Sequence, residues 1–275
     1  MPFLKLEEQK PVSLYFEDYG AGRPVVLIHG WPLSHRMWEP QVPALVGAGY
    51  RVVSYDRRGF GDSDKPWDGY DYDTFAADLD ALMTTLDLRD ATLVGFSMGG
   101  GEVARYLGRY GSERVAKAVL AGAVTPFLLK TGDNPNGIDK SVFGSFIKSI
   151  EDDRIGFLDG FTKMFFNRDK GETAVSDAAI AYNLMVASFA SPKGTVDCVT
   201  AFGTTDFRPD MAAFDVPTLV LHGDADQIVP LEVSGRVAHE LIPGSRLEVI
   251  PGAPHGFNVS HAEAFNRSLL EFMRS

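Results

Sequence analysis

Short apolar runs alternate with longer stretches of mixed polarity along most of this chain. Val12 to Tyr19 alternates apolar and polar positions, the period of a strand with one buried face. Val25 to Ile28, Val52 to Tyr55, Ala91 to Val94, Val115 to Leu120, Thr218 to Leu221 and Leu247 to Ile250 are instead short apolar runs, which suit a sheet buried on both faces. Between them the spacing turns helical. Thr74 to Asp87 puts Phe75, Leu79, Leu82, Met83 and Leu86 on one face, with Thr74 beside Asp78 as the expected cap. Strand and helix in alternation predict a mainly parallel sheet with right-handed crossovers, whose ligands bind beyond the carboxyl ends of the strands. Between Pro126 and about Arg208 the strand pattern stops and helical stretches rich in phenylalanine take over. The expected organisation is one α/β domain over residues 1–275, with a helical cap inserted at about 126–208.

Candidate chemistry sits where these runs end. Gly95-Phe96-Ser97-Met98-Gly99 joins the run Ala91 to Val94 to a helix-like stretch, Gly100 to Tyr110. Glycines two before and two after a serine allow a sharp strand-to-helix reversal that exposes its hydroxyl, and the helix start supplies unpaired N–H groups for an oxyanion. Ser97 is therefore the candidate nucleophile. A hydroxyl needs a base, and the base needs a group to fix its tautomer. Asp226, in the loop after Thr218 to Leu221, is the candidate acid, and His255, after Leu247 to Ile250, the candidate base. The chain order Ser97, Asp226, His255 is that of α/β-hydrolases. Asp224 is the rival acid and otherwise a turn residue, while His261 falls at the start of the last helix. The second oxyanion donor is expected after the strand Pro24 to Ile28, where Trp31 N–H pairs with Met98 N–H and Pro32 has none to offer. His29 is read as shaping that loop through backbone hydrogen bonds, and Arg57-Arg58 as a structural turn.

His29-Gly30-Trp31-Pro32-Leu33-Ser34, Ser54-Tyr55-Asp56-Arg57-Arg58-Gly59-Phe60-Gly61, Gly95 to Glu102, Thr205-Asp206-Phe207-Arg208 and Gly252-Ala253-Pro254-His255-Gly256 together resemble the cofactor-free haloperoxidase and arylesterase branch of the α/β-hydrolases. The resemblance covers essentially the whole chain. It implies a mostly parallel eight-stranded sheet, hydrolysis of small carboxylic esters through an acyl-enzyme, and no cofactor. It also implies hydrogen peroxide as a co-substrate in place of water, releasing a peracid that oxidises halide; a proline after the oxyanion tryptophan, here Pro32, goes with the peroxide-using members. Some relatives are named for cleaving small bicyclic lactams, so a lactam or lactone hydrolase with the same triad stays open. Epoxide and haloalkane hydrolases carry aspartate where this chain has Ser97. A non-catalytic ligand receptor on the same fold is the alternative from another class. Trp31, Pro32, Phe161 and Phe202 are the candidate substrate-pocket residues; Phe143, Phe146, Phe157, Phe165 and Phe166 either join them or pack the cap.

Composition narrows the setting. A formal net charge of −11 argues against nucleic acid or an anionic membrane as partner and favours a small neutral ester or amide substrate. Cys198 is the one cysteine, so no intrachain disulfide can form, and the start Met1 to Glu8 lacks the apolar stretch of a signal peptide. A cytoplasmic enzyme is expected, with a homo-oligomer left open. Six histidines without H-E-x-x-H spacing support no metal site, and Gly99-Gly100-Gly101 lacks the fingerprint of a nucleotide-binding loop.

Overall fold

In the computed structural model, which describes residues 2–6, 11–171 and 174–275, the six short apolar runs become adjacent strands of one eight-stranded sheet, but the last of them, Leu247 to Ile250, lies at an edge and is only partly buried rather than covered on both faces. Its strands are β1 (Phe3–Leu6), β2 (Val12–Tyr19), β3 (Pro24–Ile28), β4 (Arg51–Tyr55), β5 (Ala91–Phe96), β6 (Val115–Ala121), β7 (Thr218–Gly223) and β8 (Arg246–Ile250), in the order β1-β2-β4-β3-β5-β6-β7-β8. β1 pairs antiparallel with β2, and β2 with β4; every later pair is parallel. Every residue of β5 and β7 is buried, which is why their runs are apolar without alternation. β1 has no counterpart among the apolar runs. It is a four-residue edge strand that turns only Leu4 and Leu6 inward, too short to register as a pattern. Met1, Glu7 and Glu8 lie outside the described residues.

Ten α-helices among the described residues connect or follow these strands: α1 (Val42–Gly47), α2 (Tyr72–Thr85), α3 (Met98–Tyr110), α4 (Lys140–Phe165), α5 (Asp177–Ser188), α6 (Pro192–Thr204), α7 (Arg208–Met211), α8 (Gly235–Leu241), α9 (Phe257–Ser260) and α10 (Ala262–Arg274). α2 begins earlier than its apolar spacing indicates. Asp71 is its cap, accepting from Thr74 N–H (2.9 Å) and the Thr74 hydroxyl (2.8 Å), so Thr74 is bound by the cap rather than being it. Asp78 is buried and accepts two bonds from Arg58 (2.7 and 2.6 Å), which makes Arg58 part of the Asp56–Gly61 turn's anchorage.

α4, α5 and α6 fill the interval between β6 and β7 where the strand pattern stops. α4 breaks at Asp153 (φ −153°, ψ 88°), whose carboxylate caps the second segment through Gly156 N–H (2.9 Å). The break aims Phe157, Phe161 and Phe165 at the sheet's carboxyl edge, where they meet Trp31 and His255.

Candidate active site

Ser97 stands between β5 and α3 with φ 54° and ψ −117°, a conformation that L residues rarely adopt. Two glycines make the turn sterically feasible: a Cβ at Gly95 would run into the Gly99 carbonyl, and one at Gly99 into the Ile28 carbonyl at the end of β3. The chain after β3 also presses against the turn, since a Cβ at Gly30 would lie 2.9 Å from the Phe96 ring and 3.1 Å from Ser97 Cβ.

The loops after β7 and β8 bring two further residues to the serine. His255 Nε2 lies 2.9 Å from Ser97 Oγ and its Nδ1 2.6 Å from Asp226 Oδ2. With Nδ1–H donating to the carboxylate, Nε2 is left as the acceptor for the Ser97 hydroxyl. All three residues are buried. The other carboxylate oxygen of Asp226 accepts from Ile228 N–H and Val229 N–H, both at 2.9 Å. Burial alone would raise the Asp226 pKa, but the nearby His255 and hydrogen bonding by His222 and His255 outweigh it and hold the carboxyl well below the usual range. Asp224, the rival candidate acid, is exposed and spends Oδ1 on Gly252 N–H (2.6 Å), tying the loop that carries Asp226 to the one that carries His255. His261 bonds to Ser260 Oγ (2.9 Å) at the start of α10.

Several contributors carry no motif. Asn167, at the foot of the cap with φ 54°, donates to Ala225 O (3.0 Å) and accepts from Gln227 Nε2 (2.5 Å), gripping the chain on both sides of Asp226. Phe165 O accepts from Gly256 N–H (2.7 Å) beside His255. His222, on β7, donates from Nε2 to Val229 O (2.8 Å) and lies 3.5 Å from Asp226 Oδ2. The sequence offers only the asparagine itself, a residue type that tolerates the positive φ found at position 167.

Among the described residues, neither Trp31 N–H nor Met98 N–H donates to a backbone carbonyl in the turns and loops. The Trp31 indole is pinned through Nε1 to Thr195 O of α6 (3.1 Å). His29 is wholly buried and bonded at both ring nitrogens, Nδ1 to Gly30 O (2.9 Å) and Nε2 from Arg57 N–H (3.0 Å), so it shapes the loop through backbone bonds. Burial, reinforced by the Arg57 guanidinium, pushes its pKa down to about 3. An unfolded chain takes up that proton near 6.5, the folded one only near 3, so stability is full above about pH 6.5 and declines as pH falls toward 3. The melting temperature of His29→Gln should therefore depend less on pH between about 6.5 and 4 than that of the unaltered protein. Parallel curves would remove His29 as the titrating group.

Ser97 opens on an apolar cavity of about 50 Å³, room for a few water-sized groups. Trp31, Phe161 and Phe202 line it with Phe143, Phe146 and Val229. Pro32 is buried but does not line this cavity, and Phe157, Phe165 and Phe166 pack behind it. His35, Asp56 and Asp62 are the only group among the described residues whose donor atoms could converge on a cation. Asp56 is already engaged by His35 N–H (2.6 Å), His35 Nδ1 (2.8 Å) and Asp62 N–H (2.8 Å), and none of the three lines the cavity. Among the described residues no helix is long and apolar enough to cross a membrane.

Residues 23–262 match the family model of the alpha/beta hydrolase fold. The chain belongs to the α/β-hydrolase family. Within that family, this α/β-hydrolase is 46% identical to a non-haem chloroperoxidase of Kitasatospora aureofaciens, over 95% of its own length and 96% of the relative's. It is 39% identical to a bifunctional esterase/perhydrolase of Acinetobacter calcoaceticus, over 96% and 97% of the two chains. The crystal structure of a bromoperoxidase from Bacillus anthracis superimposes with a TM-score of 0.95 at 55% identity, covering 97% of each chain. The α/β-hydrolase thus falls in the haloperoxidase and esterase/perhydrolase branch that its motifs resemble.

Proposed function

We propose that this α/β-hydrolase is a serine esterase that cleaves small carboxylic esters through an acyl-enzyme and also passes the acyl group to hydrogen peroxide. The observation that carries the reading is the hydrogen-bonded line Asp226–His255–Ser97, ending on a strained serine at the floor of an apolar cavity. In the first step Ser97 Oγ attacks the ester carbonyl while His255 Nε2 takes its proton, and Asp226 stabilises the resulting imidazolium. The amides of Trp31 and Met98 receive the oxyanion. His255 returns the proton to the departing alcohol. Water then attacks the acyl carbon with His255 again as base, giving the carboxylic acid and free Ser97. With peroxide as the nucleophile the same step yields a peracid, which oxidises halide in solution and becomes the carboxylic acid. A cytoplasmic setting for the enzyme is supported by its single, buried cysteine.

Trapping tests this reading directly. Brief exposure to p-nitrophenyl acetate followed by acid quench should leave one acetyl group on the peptide containing Ser97, and hydrogen peroxide should accelerate its loss while yielding peracetic acid. An acetyl group found elsewhere, or none during steady turnover, overturns the proposal.

The cavity size favours short acyl groups, and Phe161, whose ring meets Trp31 edge-on at 5.0 Å, sets much of that limit. Phe161→Ala should raise the hexanoate-to-acetate ratio of kcat/KM by about 10-fold. An unchanged ratio on p-nitrophenyl esters would place the acyl chain elsewhere.

A further inference from the structure

Arg57 and Glu102 form an ion pair with no solvent exposure at either side chain, Nε to Oε2 at 2.7 Å. Such a pair costs heavy desolvation, and apolar side chains of similar volume often stabilise a fold equally well. Its geometry is also incomplete as a stabilising device: among the described residues Arg57 Nη1 and Glu102 Oε1 have no hydrogen-bond partner. What sets the pair apart is what it joins. Glu102 lies four residues beyond Met98 on α3, one turn further along the helix. The same guanidinium donates from Nη2 to His29 O (3.0 Å), and the Arg57 backbone N–H donates to His29 Nε2 (3.0 Å). His29 in turn bonds Gly30 O, one residue before Trp31. Phe75 and Phe60 pack over the guanidinium at 5.3 and 6.0 Å.

We infer that Arg57 and Glu102 are positioning residues that hold the Trp31 and Met98 amides in register on one oxyanion. This deepens the ester-hydrolysis reading and rests on it. Two donors serve a transition state only when both reach the same oxygen at hydrogen-bond distance, and they stand on separate elements, the loop after β3 and the start of α3. A planar guanidinium that bonds both elements fixes their spacing; an ammonium, a point charge with rotatable donors, has no rigid fork to set it.

The test uses Arg57→Lys, which keeps the charge facing Glu102, and the double variant Arg57→Met with Glu102→Leu, which removes both charges and keeps the site apolar. kcat for p-nitrophenyl acetate, per active site titrated, should fall by about 10- to 100-fold in either variant with KM within about 2-fold. The inhibition constant of phenylboronic acid, whose tetrahedral serine adduct places an oxygen in the hole, should rise by a matching factor. A folded variant whose kcat stays within about 2-fold overturns the inference, as does a fall in kcat that leaves boronate affinity unmoved. If turnover by the unaltered enzyme survives Ser97→Ala, the ester-hydrolysis reading itself fails, an outcome distinct from either of these.

Discussion

Ser97→Ala is expected to lower p-nitrophenyl acetate turnover on the order of 10⁴-fold or more, and peroxide-dependent bromide oxidation in acetate by the same factor. The equality follows from chemistry, because hydrolysis and perhydrolysis share one acyl-enzyme and differ only in what attacks it. Alanine retains the Cβ, so the strained backbone at φ 54° is neither relieved nor worsened and the fold is expected to persist. What disappears is the oxygen 2.9 Å from His255 Nε2. Parallel assays on one preparation decide the matter: a variant keeping a tenth of its ester activity sinks the nucleophile assignment, and bromide oxidation that outlives ester turnover sinks the shared intermediate.

Asp226→Asn should cost nearly as much, about 10⁴-fold in kcat, by a different route. Asp226 Oδ1 accepts from two backbone amides, Ile228 and Val229, so the amide oxygen of asparagine must sit there. Its NH₂ group then faces His255 Nδ1, where an N–H now meets a carboxylate oxygen at 2.6 Å. Two donors cannot face each other, so His255 moves its proton to Nε2 and can no longer accept one from Ser97. The rings and loops stay in place while the base is in the wrong tautomer. Nuclear magnetic resonance of the imidazole nitrogens should find the proton on Nε2 in the variant and on Nδ1 in the unaltered enzyme near neutral pH; a proton still on Nδ1 would rule out this mechanism of loss.

The strands were legible where burial on both faces removes alternation, as in β5 and β7, and illegible where an edge strand has only Leu4 and Leu6 to show. Ser97, Asp226 and His255, which the fold brings into one hydrogen-bonded line, were legible as candidates because each lies just beyond an apolar run, in the chain order expected of this fold. The cap of α2 lies three residues before the expected Thr74 because Asp71 and Thr74 both suit that role, and the fold of the preceding turn decides which accepts from the other. Phenylalanine content marks the segment between β6 and β7 as apolar but cannot say which rings face Ser97, since the break at Asp153 that turns α4 is marked in sequence only by Gly156, one of several glycines along that helix. Arg57 reads locally as part of a turn. Its partner is 45 residues away on another element, beyond the reach of any local pattern.

The cap's backbone is bound into the machinery below it. Thr195 O holds the Trp31 indole, Phe165 O holds the amide after His255, and Asn167 holds the carbonyl before Asp226. Substrate range in such a protein is free to drift through side chains such as Phe143 and Phe202, which only fill space. Transplanting a whole cap from a distant homologue is another matter: a graft that supplies new walls without these three anchors would remove a hydrogen bond at or beside each of Trp31, His255 and Asp226, so the cap is exchangeable only together with the loops it grips.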